Sequence, residues 1–551
     1  MLRVGVMMDS YTSKAWVAKV MEDMQSSGFA RVELVILVTL ATQQRSSVIT
    51  RLCDSWKGKL FRLYERWDYQ RNKAGPDAMA PVDVSALLKG VSAISVHVDL
   101  TGAISEDELS EICKQGLDVI FNFSVRDLQG GIFRAAHHGV WSFHHGDNME
   151  YRGGPPLFWE MFERNPVSGS ILQIHTEPRD CGRVIYRSYA STDQTSLYRN
   201  RNPVYWKTAE FALRRLRDLH LHGIEYIHSL PTYCEQETFP RVTHSTPNSL
   251  QMTLFLMRHL FHSVQSRAAS QWPGFRTKWY IAIRRRTTQH GFDNSFGYGL
   301  MLSPRNRFYA DPFLAEKNGQ TYLFFEDYRY AEGRAFISCC ELGPDGTPGL
   351  PFEALRRPYH LSYPFVFEHE GEMYMIPETR QERTVELYRA TSFPAAWTAE
   401  TVLIRDIDAV DATIQKIDGK FWMFAGVSNG KYSNCDELNL FFTDVLTGPW
   451  TPHPCNPVLS DVRRARPAGA LFYDRGRLIR PSQDCGKAYG YALVFSEVVT
   501  LSETQYEERL VSRLDPDSAQ GILAIHTYNR TEQFEVIDKT LREQVPGWQD
   551  G

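Results

Sequence analysis

Asp311-Pro-Phe-Leu-Ala-Glu-Lys-Asn-Gly-Gln-Thr-Tyr-Leu-Phe-Phe-Glu326 aligns without a gap to Tyr363-Pro-Phe-Val-Phe-Glu-His-Glu-Gly-Glu-Met-Tyr-Met-Ile-Pro-Glu378. A third copy runs Asp411-Ala-Thr-Ile-Gln-Lys-Ile-Asp-Gly-Lys-Phe-Trp-Met-Phe-Ala-Gly426, and a fourth spans Ala468 to Gln483. In all four a glycine (Gly319, Gly371, Gly419, Gly476) stands at the same offset between two apolar runs. Glycine enters φ > 0 without steric cost, so each copy reads as a hairpin whose first strand packs inward and whose second ends in a polar residue. The copies recur every roughly fifty residues, with further strands such as 386–390 and 438–443 between them, which is the period of a propeller blade with its loops. Four copies leave one blade, assigned to 278–284 together with 522–537, so that strands from both ends close the ring. The expectation is an all-β five-bladed propeller over residues 277–551.

Working outward, 551 residues exceed what one hydrophobic core supports, about 250–300. Hydrophobic content of 43%, charged content of 23% and a mean hydropathy of -0.36 describe a globular chain. A net charge of -4 gives no overall pull toward nucleic acid or an anionic bilayer, and neither is expected as a partner. The nine cysteines are scattered, without Cys-x-x-Cys or zinc-ligand spacing, which fits a reducing compartment and no metal. The start, Met1-Leu-Arg-Val-Gly-Val-Met-Met-Asp-Ser, lacks the apolar run of a signal peptide, and a cytoplasmic protein is expected.

Residues 1–200 alternate apolar runs (3–8, 32–37, 93–98, 118–123, 140–143) with amphipathic stretches at 14–26 and 105–115, the pattern of a mostly parallel, Rossmann-like α/β sheet covered by helices. The first turn lacks Gly-x-Gly-x-x-Gly, which disfavours a dinucleotide. Residues 201–276 carry helical spacing at 205–222 and 249–268 and read as a helical linker. The chain is therefore expected to be multidomain.

Ser142-Phe-His144, Arg152-Gly153, Ser168-Gly-Ser-Ile and Asp180-Cys-Gly182 follow in an order and spacing that resemble the folate-dependent formyltransferases, the family of methionyl-tRNA, glycinamide ribonucleotide and sugar-nucleotide N-formyltransferases. The resemblance implies a formyltransferase domain that moves a formyl group from 10-formyltetrahydrofolate to an amine, such as an amino sugar or another small biosynthetic intermediate. His144 and Asp180 match its catalytic pair. An imidazole titrating near neutrality suits the proton transfers of amine attack, and a carboxylate would orient it. Ser142 stands where the family places an asparagine, and losing such an oxyanion donor typically costs about 10²–10³ in rate, so Asn148 is the candidate replacement. Phe121-Asn-Phe-Ser-Val-Arg-Asp-Leu resembles the folate-lining loop, which implies cofactor contacts from Asn122, Phe123, Arg126 and Gly182.

Ala310-Asp-Pro-Phe, Ile376-Pro-Glu-Thr and Arg480-Pro-Ser-Gln-Asp make the propeller similar to five-bladed glycosidases, and closer to the propeller region of glucosamine inositolphosphorylceramide transferase proteins. This likeness implies substrate contacts from Asp311 and Asp411, with Glu326 or Glu378 as an acid and Arg480 and Asp484 at the same mouth. Two readings stand: an N-formyltransferase whose propeller presents the acceptor, or a carbohydrate-processing or glycan-binding propeller carrying a vestigial first domain.

Overall fold

A computed structural model describes residues 1–40, 58–99, 101–124, 128–175, 182–230, 243–271, 275–287, 291–294 and 296–544. The chain divides into two compact units, Met1–Val264 and Gln265–Gly551.

In the first unit, five strands rich in Val and Ile run parallel in the order Val140–His144, Val119–Asn122, Leu2–Met8, Ala30–Leu40 and Ser92–Val98. The strands Val167–Ile174 and Arg183–Ser191 extend the Val140–His144 edge in antiparallel fashion, so the seven-stranded sheet is mixed. One face is covered by the helices Ala15–Ser26 and Leu197–Ser229, which bury Val17, Met21, Tyr205, Phe211 and Leu216. The second of these helices, expected to bridge two domains, is thus part of this core. The other face is closed by Glu106–Cys113, whose Leu109 and Ile112 are buried. That helix begins at a capping box in which Ser105 and Glu108 satisfy each other's backbone N–H groups. The architecture alone does not make this unit a formyltransferase domain, because one sheet topology serves many chemistries.

The second unit holds five separate antiparallel sheets, the blades of a propeller. The four repeats are the inner hairpins of four blades. Their turns place two consecutive residues at positive φ, Asn318–Gly319, Glu370–Gly371, Asp418–Gly419 and Arg475–Gly476, which matches the right-handed twist of the flanking strands. The fifth blade joins the two ends of the unit: Phe275–Arg285 pairs antiparallel with Phe534–Gln544 over its whole length. Within that seam Arg284 lies opposite Glu535, both buried, and its Nε donates to Glu535 Oε2 at 2.8 Å. Further Arg284 N–H groups reach the carbonyls of Gly291, Asn294 and Phe296.

This ion pair latches the ring. Arg284→Met leaves the buried Glu535 carboxylate only the longer contacts of Arg286 at 3.5 Å and Tyr298 at 3.4 Å and should lower stability by about 3 kcal/mol in urea unfolding, whereas Arg284→Met with Glu535→Leu should recover much of the loss.

Candidate functional site

The inner strands of three blades each carry a bulge two residues long, where the register slips between Ala310 and Phe313, Ser362 and Phe365, and Val410 and Thr413. At the bulge Asp311, Tyr363 and Asp411 take φ of 49°, 45° and 54°, a left-handed conformation that costs a non-glycine residue about 1–3 kcal/mol. The bulges are held by neighbours. The Asp311 amide donates to Asp538 Oδ2 of the closing blade at 3.0 Å, and Asp311 Oδ2 in turn accepts from the Tyr363 amide at 3.1 Å. The Tyr363 hydroxyl meets Thr413 Oγ1 at 2.9 Å and accepts from the Gly469 amide at 2.6 Å. Gly469 is required there, because a Cβ would fall 2.0 Å from the Tyr528 carbonyl.

Opposite these bulges, Ala310, Ser362 and Val410 pair with Glu326, Glu378 and Gly426 on the second strands. Asp311, Glu326, Glu378 and Asp411 interact as one acidic cluster, in which Glu378 is half-buried and the other three are buried. Asp411 holds the shortest ion pair of the four: its Oδ2 accepts from Arg466 Nε at 2.6 Å and from Gln483 Nε2 at 3.0 Å. Arg466 also approaches Glu378 at 3.8 Å and lies 4.9 Å from the ring of Tyr489, which is half exposed. Burial pushes the Glu378 carboxyl up to about 8, with Asp411 adding to the rise and Arg466 opposing it. Burial likewise lifts Asp311 to about 6 against the pull of His526, and holds Glu326 well above the carboxylate range, with Asp311 and Glu378 adding to it.

His526 bridges two acids, with Nδ1 2.6 Å from Asp538 Oδ2 and Nε2 3.3 Å from Asp311 Oδ1, and it stacks 4.1 Å from Trp279. Burial works against its charge, but Asp538 and Asp311 outweigh that and raise the imidazole. Ligand atoms of Asp311, His526 and Asp538 lie within 4.8 Å of one another, a spacing that suits a cation. The Asp538 carboxylate already accepts from the amides of Asp311, His526 and Thr527, which commits it to holding backbone.

Of the propeller residues singled out in the sequence, Asp311, Glu326, Glu378 and Asp411 come together at these bulged inner hairpins. Arg480 and Asp484 are engaged elsewhere. Arg480 is buried in a bidentate pair with Glu508, at 2.8 and 2.9 Å, and Asp484 pairs with Arg513, both partners lying on the strand Tyr506–Leu514. The inward side chain of that motif is Gln483, which the alignment itself marks, since it ends the fourth repeat where Glu326 and Glu378 end theirs. Arg466, His526 and Asp538 carried no such repeat signal.

In the first unit the proposed one-carbon site is otherwise occupied. His144 Nε2 sits 2.9 Å from the Tyr151 carbonyl, and burial lowers its imidazole below its ordinary range, the carbonyl opposing. Ser142 Oγ meets His175 Nε2 at 2.5 Å. Asn148 Oδ1 accepts from Arg187 at 3.0 Å, beside the Arg187–Asp147 ion pair. Asn122 Oδ1 caps the Ser124 amide at 3.0 Å, Phe123 stacks in a cluster with Phe121, Phe143 and Trp16, and a Cβ on Gly182 would press on Gln173 at 3.1 Å. Asp180 and Arg126 lie outside the described residues.

Comparison with known proteins bears on the second unit. Residues 301–542 match the family model described as glucosamine inositolphosphorylceramide transferase 1, N-terminal. Over 208 residues the chain is 36% identical to glucosamine inositolphosphorylceramide transferase 1 of Oryza sativa subsp. japonica, covering 37% of this chain and 28% of that protein. The protein of the same name in Arabidopsis thaliana is 34% identical over 207 residues, 37% of this chain and 27% of its own length. The matched region thus spans less than a third of these curated relatives. Among solved structures, Zg3597, a family 117 glycoside hydrolase from Zobellia galactanivorans, aligns at 13% identity and a TM-score of 0.33 over 48% of this chain and 90% of its own. RS223-Beta-xylosidase aligns at 15% identity and a TM-score of 0.31, over 39% and 81%.

The relatives overturn the expectation of a folate-dependent formyltransferase. They are transferases named for glucosamine and inositolphosphorylceramide, so formyl transfer, 10-formyltetrahydrofolate as donor and the one-carbon roles of His144 and Asp180 are set aside. The alternative reading, a carbohydrate-processing propeller, fits them better.

The raised Glu378 carboxyl has a stability consequence with a definite sign. The folded protein keeps that proton up to about pH 8, whereas the unfolded chain releases it near the ordinary 4.5, so the folded state binds more protons in this window and stability falls as pH rises through it. The urea midpoint should drop between about pH 5 and about pH 8, and should drop less in Glu378→Gln.

Proposed function

We propose that the propeller is a carbohydrate-processing module that binds an amino sugar at its acidic cluster and acts on a glycosidic bond there. One observation carries this reading: of two neighbouring acids, Glu378 is pushed up to about 8, while Asp411 is the hydrogen-bond partner of Arg466 and Gln483. Glycosidic chemistry needs such a division, a protonated acid to hand its proton to the departing oxygen and an ionised group to offset the positive charge that grows on the sugar ring. Glu378 is the proton donor in this scheme. Asp311, lifted to about 6 and fixed by the Tyr363 amide and the Thr527 hydroxyl, is the group able to accept a proton from the attacking hydroxyl.

The surplus of acids over Arg466 and His526 favours a cationic ligand, and the ammonium of glucosamine supplies one positive charge beside hydroxyls that suit carboxylate acceptors. Tyr489 offers an aromatic face of the kind that packs against a sugar ring. The relatives' name joins glucosamine with inositolphosphorylceramide, which supports testing that pairing first.

The test uses the purified full chain. Calorimetric titration should show glucosamine binding more tightly than glucose, with at least about a tenfold loss in Asp411→Asn. In assays of cleavage or transfer with glucosaminides, Glu378→Gln should retain binding and lose turnover by about 10²-fold or more. A wild-type protein that binds neither sugar and turns over no glucosaminide would sink the reading.

A further inference from the structure

The helix Ser249–Gln271 buries Met252 and Phe255 in a small core with Phe61, Tyr64 and Phe158. Its apolar stripe does not stop there. Leu250, Leu254, Met257, Phe261 and Val264 recur at alternating steps of four and three and face solvent, as does Leu260, which is 66% exposed. A helix with apolar residues on this much of its circumference ordinarily buries both sides. The neighbouring helix Lys59–Asn72 repeats the pattern: Phe61 and Tyr64 point into the core, while Leu60, Leu63 and Trp67 lie outside it, Trp67 at 53% exposure. The Tyr64 and Phe255 rings meet at 5.3 Å, so both surplus faces are carried by one small core of the first unit.

Charge narrows what covers them. Residues 249–271 include no aspartate or glutamate, and Arg258 is exposed among the apolar side chains. Residues 59–73 carry the exposed cations Arg66, Arg71 and Lys73. Their two acids are engaged: Glu65 pairs with Arg201 at 2.5 Å, and Asp68 is buried, accepting from Ser196 Oγ and the Tyr198 amide. The guanidinium of Arg71 lies 5.4 Å from the Trp67 ring, a cation and an indole side by side. A second copy docked on this face would set these cations against their own counterparts. An anionic lipid surface suits both parts, with a place for the apolar side chains at the acyl boundary and negative headgroups beside the basic rim. Among the described residues no helix is long and apolar enough to cross a membrane, so the contact is one of lying on the bilayer.

We propose that the exposed face of helix Lys59–Asn72 and that of residues 250–264 form a docking surface for an anionic membrane. The inference rests on the first unit and is independent of the chemistry assigned to the propeller.

Flotation of the full chain with vesicles tests it. The protein should rise with vesicles of phosphatidylcholine containing about one-third phosphatidylserine, rise far less with phosphatidylcholine alone, and be released by high salt. Leu260→Ser with Phe261→Ser should weaken partitioning by about tenfold or more, and Arg66→Glu with Arg71→Glu should do the same through charge alone. Circular dichroism melts that match the wild type certify both variants, and since all four positions are surface ones, the charge pair serves if the apolar pair misfolds. Absence of flotation with either vesicle overturns the proposal, as do variants that float like the wild type. A dimer in light scattering that Leu260→Ser with Phe261→Ser converts to monomer, without vesicle binding, overturns it in favour of self-association.

Discussion

The centre of the propeller depends on backbone amides captured by carboxylates of the neighbouring blade. Asp538 holds the amide of Asp311, and Asp311 holds the amide of Tyr363, so the left-handed bulge of one blade is fixed by the side chain of the one before it. A left-handed aspartate or tyrosine is unfavourable in isolation and persists because its surroundings over-determine it. The same contacts tie blade to blade where the strands themselves form no ladder across the gap. Structural closure and the placing of acids are therefore one arrangement.

That arrangement gathers more carboxyl groups than it has cations to pair with them. Arg466 and His526 are the cations engaged with the cluster, and Arg466 is drawn to Asp411 at 2.6 Å and only loosely to Glu378 at 3.8 Å. The unequal sharing separates the two acids: burial raises Glu378, whereas Asp411 takes the hydrogen bonds of Arg466 and Gln483. Glycosidic chemistry requires such an inequality, and it arises here from which carboxylate the guanidinium reaches first.

The first unit shows how a motif can be legible and still mislead. The five parallel strands are readable from Val and Ile runs, and the helix after Ser105 from its capping box, because both signals are local. His144 and Ser142 were equally visible, yet their side chains are turned to the Tyr151 carbonyl and to His175, contacts that span seven and thirty-three residues. Spacing along a chain says which residue types are present at a strand end. It does not say whether an imidazole faces a cavity or closes a hydrogen bond inside the fold.

In the propeller the division is sharper. The blades are legible along the chain, since a repeated hairpin with glycine at a fixed offset is a local instruction, and the same alignment puts Asp311 and Asp411 at the head of the hairpin and Glu326 and Glu378 at its end. Only the tertiary structure decided their partners. Asp311 and Asp538 are separated by 227 residues and meet because the strand Phe534–Gln544 returns to pair with Phe275–Arg285 and close the ring, while Asp411 and Arg466, 55 residues apart, meet through the segment that leads into the fourth repeat. Strand alternation then chose Gln483 over Arg480 and Asp484, sending one face of Arg477–Asp484 toward Asp411 and the other into ion pairs within its blade. Periodicity can be read from one dimension, but electrostatic partnership across a closed ring exists only once the ends have met.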